Sequence, residues 1–429
     1  MAKRQSKDTV AEASKSGIDA LMTHVMKGAP GLVCSAKDLA DRVWGLPSDY
    51  ISYRWLTDQT VHTMGKIIGV AGAKESCKSA YAMSLAKIWL DAGGIAIYID
   101  TENKKSPVLY KSIVGEENLG QTIEFLADST EQWQEQILTT CQFLEENESY
   151  KNKPIIFVID SLGGVDTLET EERISKEGHV NARNTGGMVK AKSHNEFFRH
   201  INKYLIGKPY NLVYVNHLSD DPMSPIQGAK RKPGGTGQDY HALMDFWFSV
   251  VKSKAEYKAS KNYSEKLLKI KNNKNSHGIS NRALEIPYRM QTNEETGQLD
   301  KVWFDWDAAT AMLLTDDKNA EIRQRTDGII KVTVSSNRYS CQALGLVGVS
   351  DSELGAAIRN NIELRERLSD ALGINRVKLF ESCNVPDRDV YEKPVSVRIK
   401  ASTPPSQGDV PVNDERPNTD GPSDGSGAA

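Results

Sequence analysis

An apolar run, Ile67-Ile68-Gly69-Val70-Ala71, opens straight into Gly72-Ala73-Lys74-Glu75-Ser76-Cys77-Lys78-Ser79. That succession predicts a buried strand, a tight loop and the start of a helix. Its likeness to G-x-x-x-x-G-K-[ST] points to phosphate binding: loop amides cradle phosphates, the lysine reaches the β- and γ-phosphates, and the hydroxyl ligates Mg²⁺. Gly72 through Ser79 are therefore the expected nucleotide-binding residues, with ATP and Mg²⁺ as cofactors. Cys77 stands where the second glycine of the pattern belongs, which a negative local φ would permit. The plainer alternative is a strand-to-helix turn that happens to carry Lys-Ser.

A metal at such a loop also needs an acidic residue at the end of another buried strand to hold its water shell. Pro154-Ile155-Ile156-Phe157-Val158-Ile159-Asp160 is a continuous apolar run ended by Asp, the pattern of a parallel strand covered on both faces. Asp160 thus joins Ser79 as an expected magnesium residue. Ile95-Ala96-Ile97-Tyr98-Ile99-Asp100-Thr101-Glu102 is a third such run, ending in carboxylates at the edge where open α/β sheets bind ligands. Asp100 is still within the strand pattern, so Glu102 is the residue expected to polarise an attacking water. Each strand-end acid has a bland alternative as a helix cap or a solvated loop residue.

Gly72…Lys78-Ser79, Tyr98-Ile99-Asp100-Thr101-Glu102, Phe157-Val158-Ile159-Asp160-Ser161-Leu162-Gly163, Val215-Asn216-His217 and Pro233-Gly234-Gly235-Thr236-Gly237 follow one another in collinear order. Over residues 60–310 the chain thereby resembles the RecA family of strand-exchange recombinases, and is most similar to its T4-type phage branch, the UvsX recombinases. The resemblance implies an α/β fold: a RecA-like P-loop ATPase core with a mostly parallel central sheet, a small N-terminal element and a small C-terminal helical appendage. It implies a DNA-dependent ATPase that forms a helical filament on single-stranded DNA and exchanges strands with homologous double-stranded DNA. A single-strand-binding protein and a recombination mediator are the further partners it implies, in the cytoplasm, or the host cytoplasm for a viral chain.

A chain of 429 residues suits one large domain with appendages, or two to three domains of about 100–200 residues each. The expected divisions are 1–57, an N-terminal extension and oligomerisation element; 58–315, the ATPase and DNA-binding core; 316–385, a mostly helical appendage; and 386–429, a disordered acidic tail. Cys34, Cys77, Cys141, Cys341 and Cys383 are widely spaced with no CxxC pair, which argues against a zinc site or a disulfide framework. Met1-Ala2-Lys3-Arg4 leads into polar residues, and no apolar run reaches the roughly 18 residues of a membrane span. Neither export nor a membrane partner is expected.

Apolar periodicity predicts strand 66–71, helix 78–91, strand 95–100, helix 106–114, strand 122–126, helix 131–147, strand 154–160, helix 190–206 and strands 211–216 and 244–251, an alternation of βαβ type. Strands near 266–272 and 282–289 would lie antiparallel at one edge. Ile18, Leu21, Met22 and Val25 give Gly17–Met26 an amphipathic helical pattern. By resemblance that helix docks on a neighbouring protomer; packing on its own core is the alternative.

Two polar connections, Asp166–Gly187 and Leu218–Gly237, are too long for simple links. The first carries Arg173, Lys176, His179 and Arg183 and runs on to Lys190 and Lys192; the second carries Lys230, Arg231 and Lys232 before Gly234, Gly235 and Gly237. Cations beside glycine suit close approach to a phosphate backbone, and by resemblance these are the DNA-binding loops; a solvated mobile loop is the alternative for each. With no aromatic platform in either, backbone-led and sequence-tolerant binding is expected. His217 lies between the nucleotide edge and the second loop, where a group coupling the γ-phosphate to DNA belongs, although a lone strand-end His is often structural. Residues 252–274 hold eight lysines against two glutamates. A solvated hairpin face is the bland account; by resemblance Lys271 and Lys274 reach the ATP of the adjacent subunit. Tyr110 lies one residue out of register for the adenine-stacking tyrosine of bacterial relatives. After Ala401 five acids face one arginine, a passive solubilising tail or a competitor with DNA for the basic loops. The alternatives to a recombinase are a RecA-like hexameric DNA helicase and a non-hydrolysing DNA-binding scaffold.

Overall fold

The computed structural model describes residues 43–177, 186–221, 224–226, 229–251, 257–260 and 263–380. The amphipathic stretch Gly17–Met26 and the acidic tail lie outside them. In chain order, β1 (Trp44–Pro47), a helix (Ile51–Thr57) and β2 (Val61–Thr63) precede β3 (Ile67–Gly72), β4 (Ile95–Asp100), β5 (Thr122–Leu126), β6 (Ile155–Asp160) and β7 (Tyr210–His217). A small hairpin, β8 (Ser219–Asp220) with β9 (Lys230–Arg231), comes before β10 (Met244–Val250), β11 (Tyr257–Ser260), β12 (Tyr263–Asn275), β13 (Ala283–Thr292) and β14 (Leu299–Phe304).

The protein is an α/β fold on a ten-stranded sheet of order β14-β13-β12-β10-β3-β7-β6-β4-β5, with β11 beside β12. From β10 to β5 every pairing is parallel. Beyond β10 the strands β12, β13 and β14 continue as an antiparallel wing. The central strands have no polar face because both faces are covered. In β6, Ile156 and Val158 enter a core with Tyr81, Trp89, Tyr110 and Ile113 from helices 78–91 and 107–114. Their neighbours Ile155, Phe157 and Ile159 enter the opposite core, with Trp133 and Ile137 from helix 130–146 and Phe198 and Ile201 from helix 186–205. Local signals set the helix starts: Ser106 and Ser129 accept the N–H of Leu109 and Gln132, and Pro107 takes the first helical turn.

Three segments differ from or add to the expected organisation. Leu168–Glu177, inside the first expected loop, is a helix, and the helix expected from 190 starts at Gly186. Residues 316–380 carry the expected helices, 320–326, 351–360 and 362–371, but add a sheet that was not expected: β15 (Val332–Ser335), β16 (Arg338–Cys341) and β17 (Leu346–Val349), paired antiparallel. Residues 44–57 are built into the body. β1 pairs with β2 and, in parallel, with β18 (Lys378–Leu379), while Ile51 shares a third core with Leu313, Leu354, Leu368 and Ile374. The fully buried Arg54 donates to Glu366 at 2.8 Å and to Ser369 at 2.9 Å, tying helix 51–57 to helix 362–371. Among the described residues no helix is long and apolar enough to cross a membrane.

Candidate functional site

β3, β7, β6 and β4 end side by side, and the chain leaves each of them carrying a residue singled out in the sequence. Gly72 ends β3 in a space that only glycine fits: a Cβ there would lie 2.5 Å from Ser76 Oγ and 2.7 Å from the Phe248 carbonyl. Cys77 caps helix 78–91 with φ +62°, in the left-handed region, so the expected negative φ is wrong. Glu75 is left-handed too, at φ +63°. Each such residue costs roughly 1–2 kcal/mol and persists only where its surroundings hold it. The holders are identifiable. Ser76 Oγ and Lys78 Nζ donate to the Ala73 carbonyl at 2.7 and 2.6 Å, and Lys266 Nζ, from β12, donates to the Glu75 carbonyl. Burial pushes the Cys77 thiol up to about 11, with Lys266 and Lys78 pulling the other way; it is no nucleophile at neutral pH.

The helix that starts here has no side-chain cap, which leaves its first amides directed at the loop, the arrangement that binds anions. Lys78 is almost wholly buried, and burial lowers its pKa against the opposing fields of Asp160 and Glu102. A buried ammonium beside uncapped amides fits a nucleotide's phosphates. Asp160 accepts from Tyr98 Oη at 2.7 Å; burial raises its pKa, against the lowering influence of Tyr98 and the nearby Ser79 hydroxyl. One carboxylate and one hydroxyl suit Mg²⁺, which keeps waters and takes phosphate oxygens. Among the described residues no cluster of three or more His, Cys, Asp or Glu offers a metal cage.

Glu102 projects from the turn after β4. Asp100 is used up in shaping that turn, accepting the N–H groups of Glu102 and Lys105 at 3.1 and 2.8 Å. Glu102 Oε1 accepts from Ser161 Oγ at 2.6 Å and lies 3.2 Å from His217 Nε2, while Oε2 accepts from Lys104 at 3.0 Å. Burial works to raise its pKa, but the hydrogen bonds from Ser161, Lys104 and His217 prevail and hold it at about 2. Beside His217, Asn216 donates to Gln238 Oε1 at 2.8 Å and to the Pro233 carbonyl at 3.0 Å. Gln238 in turn donates to the carbonyls of Pro233 and Gly235 at 2.8 and 2.9 Å. A continuous line of polar contacts and one peptide step thus joins Glu102 to the glycines of the second loop. Lys104 and Gln238 were not singled out in the sequence, and Ser161 stood there only as a member of the Phe157–Gly163 run. Only Gln238 carried a signal, as a polar residue directly after the glycine run.

The cations of the two loops divide into different kinds. Lys230 and Arg231 are exposed on the small hairpin, Lys230 paired with Asp220 at 2.5 Å. Lys232 is not such a cation. Its side chain is 3 % exposed and sits between Asp239 and the buried Asp245, the latter at 2.9 Å. Lys190 is likewise turned inward, donating to the carbonyls of Gly163 and Val165 and pairing with Asp166. Lys192 is exposed, Lys176 is exposed and pairs with Glu172, and Arg173 is half-buried on the same helix. His179 and Arg183 lie outside the described residues. Gly234, Gly235 and Gly237 pack on helix 186–205: a Cβ on each would lie 3.2 Å from His194, 2.9 Å from Ala191 and 2.7 Å from Asn195. These glycines fit the second loop onto the helix that follows the first. Tyr240, three residues past the end of the second loop, is 80 % exposed.

Within the chain neither Lys271 nor Lys274 is bonded to the Ala73–Cys77 loop; Lys274 donates to the carbonyls of Asp239 and Tyr240. Tyr110 is buried, bonded to Thr122 Oγ1 at 2.9 Å and covered by the Lys105 ammonium 3.7 Å from its ring centre, so it offers no face to a base. No protein-family model matches the chain, and no curated protein matches it. The functional reading rests on residues and their geometry.

Proposed function

We propose that this protein is an ATP-dependent DNA strand-exchange ATPase of the RecA type, which assembles on single-stranded DNA and pairs it with a homologous duplex. The observation that carries the reading is the line from Glu102 through His217, Asn216 and Gln238 to Pro233 and Gly235. It connects a carboxylate beside the phosphate-type loop with a loop that presents Lys230 and Arg231 to solvent. Lys78 and the amides at the start of helix 78–91 would hold the β- and γ-phosphates, and Ser79 with Asp160 would hold Mg²⁺. When bound, the metal supplies charge neutralisation on the phosphate oxygens. Glu102 is ionised at neutral pH and is a weak base while three donors hold it. Withdrawal of His217 removes one of those donors and raises its basicity, so a change in the second loop would set how well Glu102 orients and deprotonates water.

Electron microscopy with single-stranded DNA and a non-hydrolysable ATP analogue, read beside ATPase rates with and without DNA, tests this. Helical filaments and DNA-stimulated hydrolysis are expected. Closed rings would move the reading to the hexameric helicase, and DNA binding without hydrolysis to the scaffold. Lys78→Ala is expected to lose nucleotide binding, whereas Glu102→Gln keeps nucleotide and DNA binding and loses turnover.

A further inference from the structure

The Ala73–Cys77 loop holds two non-glycine residues in the left-handed region, at Glu75 and Cys77. Three of its four side-chain anchors are local: Ser76 and Lys78 close on the Ala73 carbonyl, and the Cys77 thiol makes a weak, long contact of 3.9 Å to the Glu75 carbonyl. The fourth comes from far away in the chain. Lys266 lies on β12, which reaches β3 only through β10, and its ammonium donates to the carbonyl of Glu75, between the two left-handed residues. The side chain is buried, and its charge is felt at the Cys77 thiol. An ammonium on a backbone carbonyl is a charge-assisted hydrogen bond, stronger than a neutral one, and here it fixes the peptide plane on which the turn depends. A carbonyl free to swing toward bound phosphates would repel them.

We propose that Lys266 is a positioning residue for nucleotide phosphate: it pins the Glu75 carbonyl and holds the loop in a shape that a glycine at position 77 would adopt unaided. The proposal rests on the phosphate-binding reading of this loop and assigns the missing glycine's work to a lysine on another strand. It makes Lys266 and Cys77 interdependent.

The test is a double-mutant cycle on the full chain, reading the Kd of the Mg²⁺ complex of a slowly hydrolysed ATP analogue by calorimetry, with thermal melting alongside. Lys266→Met is expected to weaken binding about tenfold, the loss of a hydrogen bond to a charged group. In the Cys77→Gly background the same change is expected to cost less than about threefold, since glycine takes positive φ without a brace. Lys266→Gln, too short to reach the carbonyl, repeats the cycle should the methionine variant not fold. Equal losses in both backgrounds, or an unchanged Kd in Lys266→Met, would overturn the proposal. Lys78→Ala separates the two readings: if it too binds with the wild-type Kd, the loop is not a phosphate site at all and the assignment to Lys266 falls with it.

Discussion

The Ala73–Cys77 loop and the Leu218–Gly237 loop leave the same edge of the sheet, from the neighbouring strands β3 and β7, and both require left-handed backbone. The second meets the requirement with glycine: Gly234 and Gly235 have φ of +88° and +82°. The first meets it with Glu75 and Cys77, held by side chains that grip its carbonyls. A shape made from glycine is a local property, sensitive to substitution at the glycines themselves. A shape imposed on ordinary residues is a property of the whole sheet, sensitive at remote anchors. The second loop nonetheless has remote dependences of its own, its packing on helix 186–205 and, buried deeper, the charge cluster of Lys232, Asp239 and Asp245.

That cluster is where the contrast breaks most severely. Lys232→Met leaves Asp245, which is 2 % exposed, with the Trp247 indole N–H but no cation, and loss of one partner from a buried pair costs about 3–5 kcal/mol. Chemical denaturation should register that loss; a change below about 1 kcal/mol would mean that Lys232 behaves as a surface cation after all. Next comes Gly235→Ala, which combines positive φ with overlap on Ala191 and is expected to cost about 2–3 kcal/mol. Pairing it with Ala191→Gly relieves the overlap and leaves the φ cost, so the double variant should regain part of the loss; no recovery would mean that packing on helix 186–205 is not what restricts this glycine.

His194, packed against Gly234, is buried with both ring nitrogens lacking a hydrogen-bond partner. Burial, then the nearby Lys190, lowers its pKa to about 3 from 6.5. Because the unfolded state takes the proton first, its contribution is present in full above pH 6.5 and is lost as pH falls toward 3, at up to about 1.4 kcal/mol per unit. His194→Leu should flatten the fall in unfolding free energy across that window, while His62 and His277, also lowered by burial, keep the remainder. An identical acid limb in the variant would place His194 in contact with water. The smallest effect is at Cys77: replacement by glycine removes the left-handed penalty and should raise stability by about 1 kcal/mol. A lower melting temperature would show that the thiol's packing outweighs the backbone strain.

The parallel core was legible because strands buried on both faces must be unbroken apolar runs and the helices between them keep a helical period. Helix 78–91 and strands 95–100 and 122–126 stand at the residues expected. Helix 168–177 escaped because Leu-Glu-Thr-Glu-Glu-Arg-Ile-Ser-Lys-Glu has too few apolar positions to show a face. The sheet of residues 332–349 escaped because its strands are only four residues each, too short to show an alternation. At the site, residue types and their order brought out Lys78, Ser79, Asp160, Glu102 and His217, which the fold brings to one edge. Sequence alone could not separate Lys232 from Lys230, because the difference lies in Asp239 and Asp245, supplied by other elements. Asp245 inside the apolar run Met244–Val250 was the available clue, since a carboxylate there demands a cation. Lys266 gave none, one lysine in a lysine-rich hairpin.

The seam between β1 and β18 also bears on how the chain is made. Helix 51–57 leaves the ribosome before any strand of the central sheet, yet the residues that cover it, Leu313, Leu354, Leu368 and Ile374, are among the last described to be synthesised. The buried Arg54 waits equally long for Glu366. Throughout translation of the sheet the nascent chain therefore carries this helix without its covering residues, a surface that chaperones and aggregation both recognise. Closure comes only when residues 362–379 arrive, so a stop codon anywhere upstream of them yields a sheet without its seam rather than a shorter functional protein.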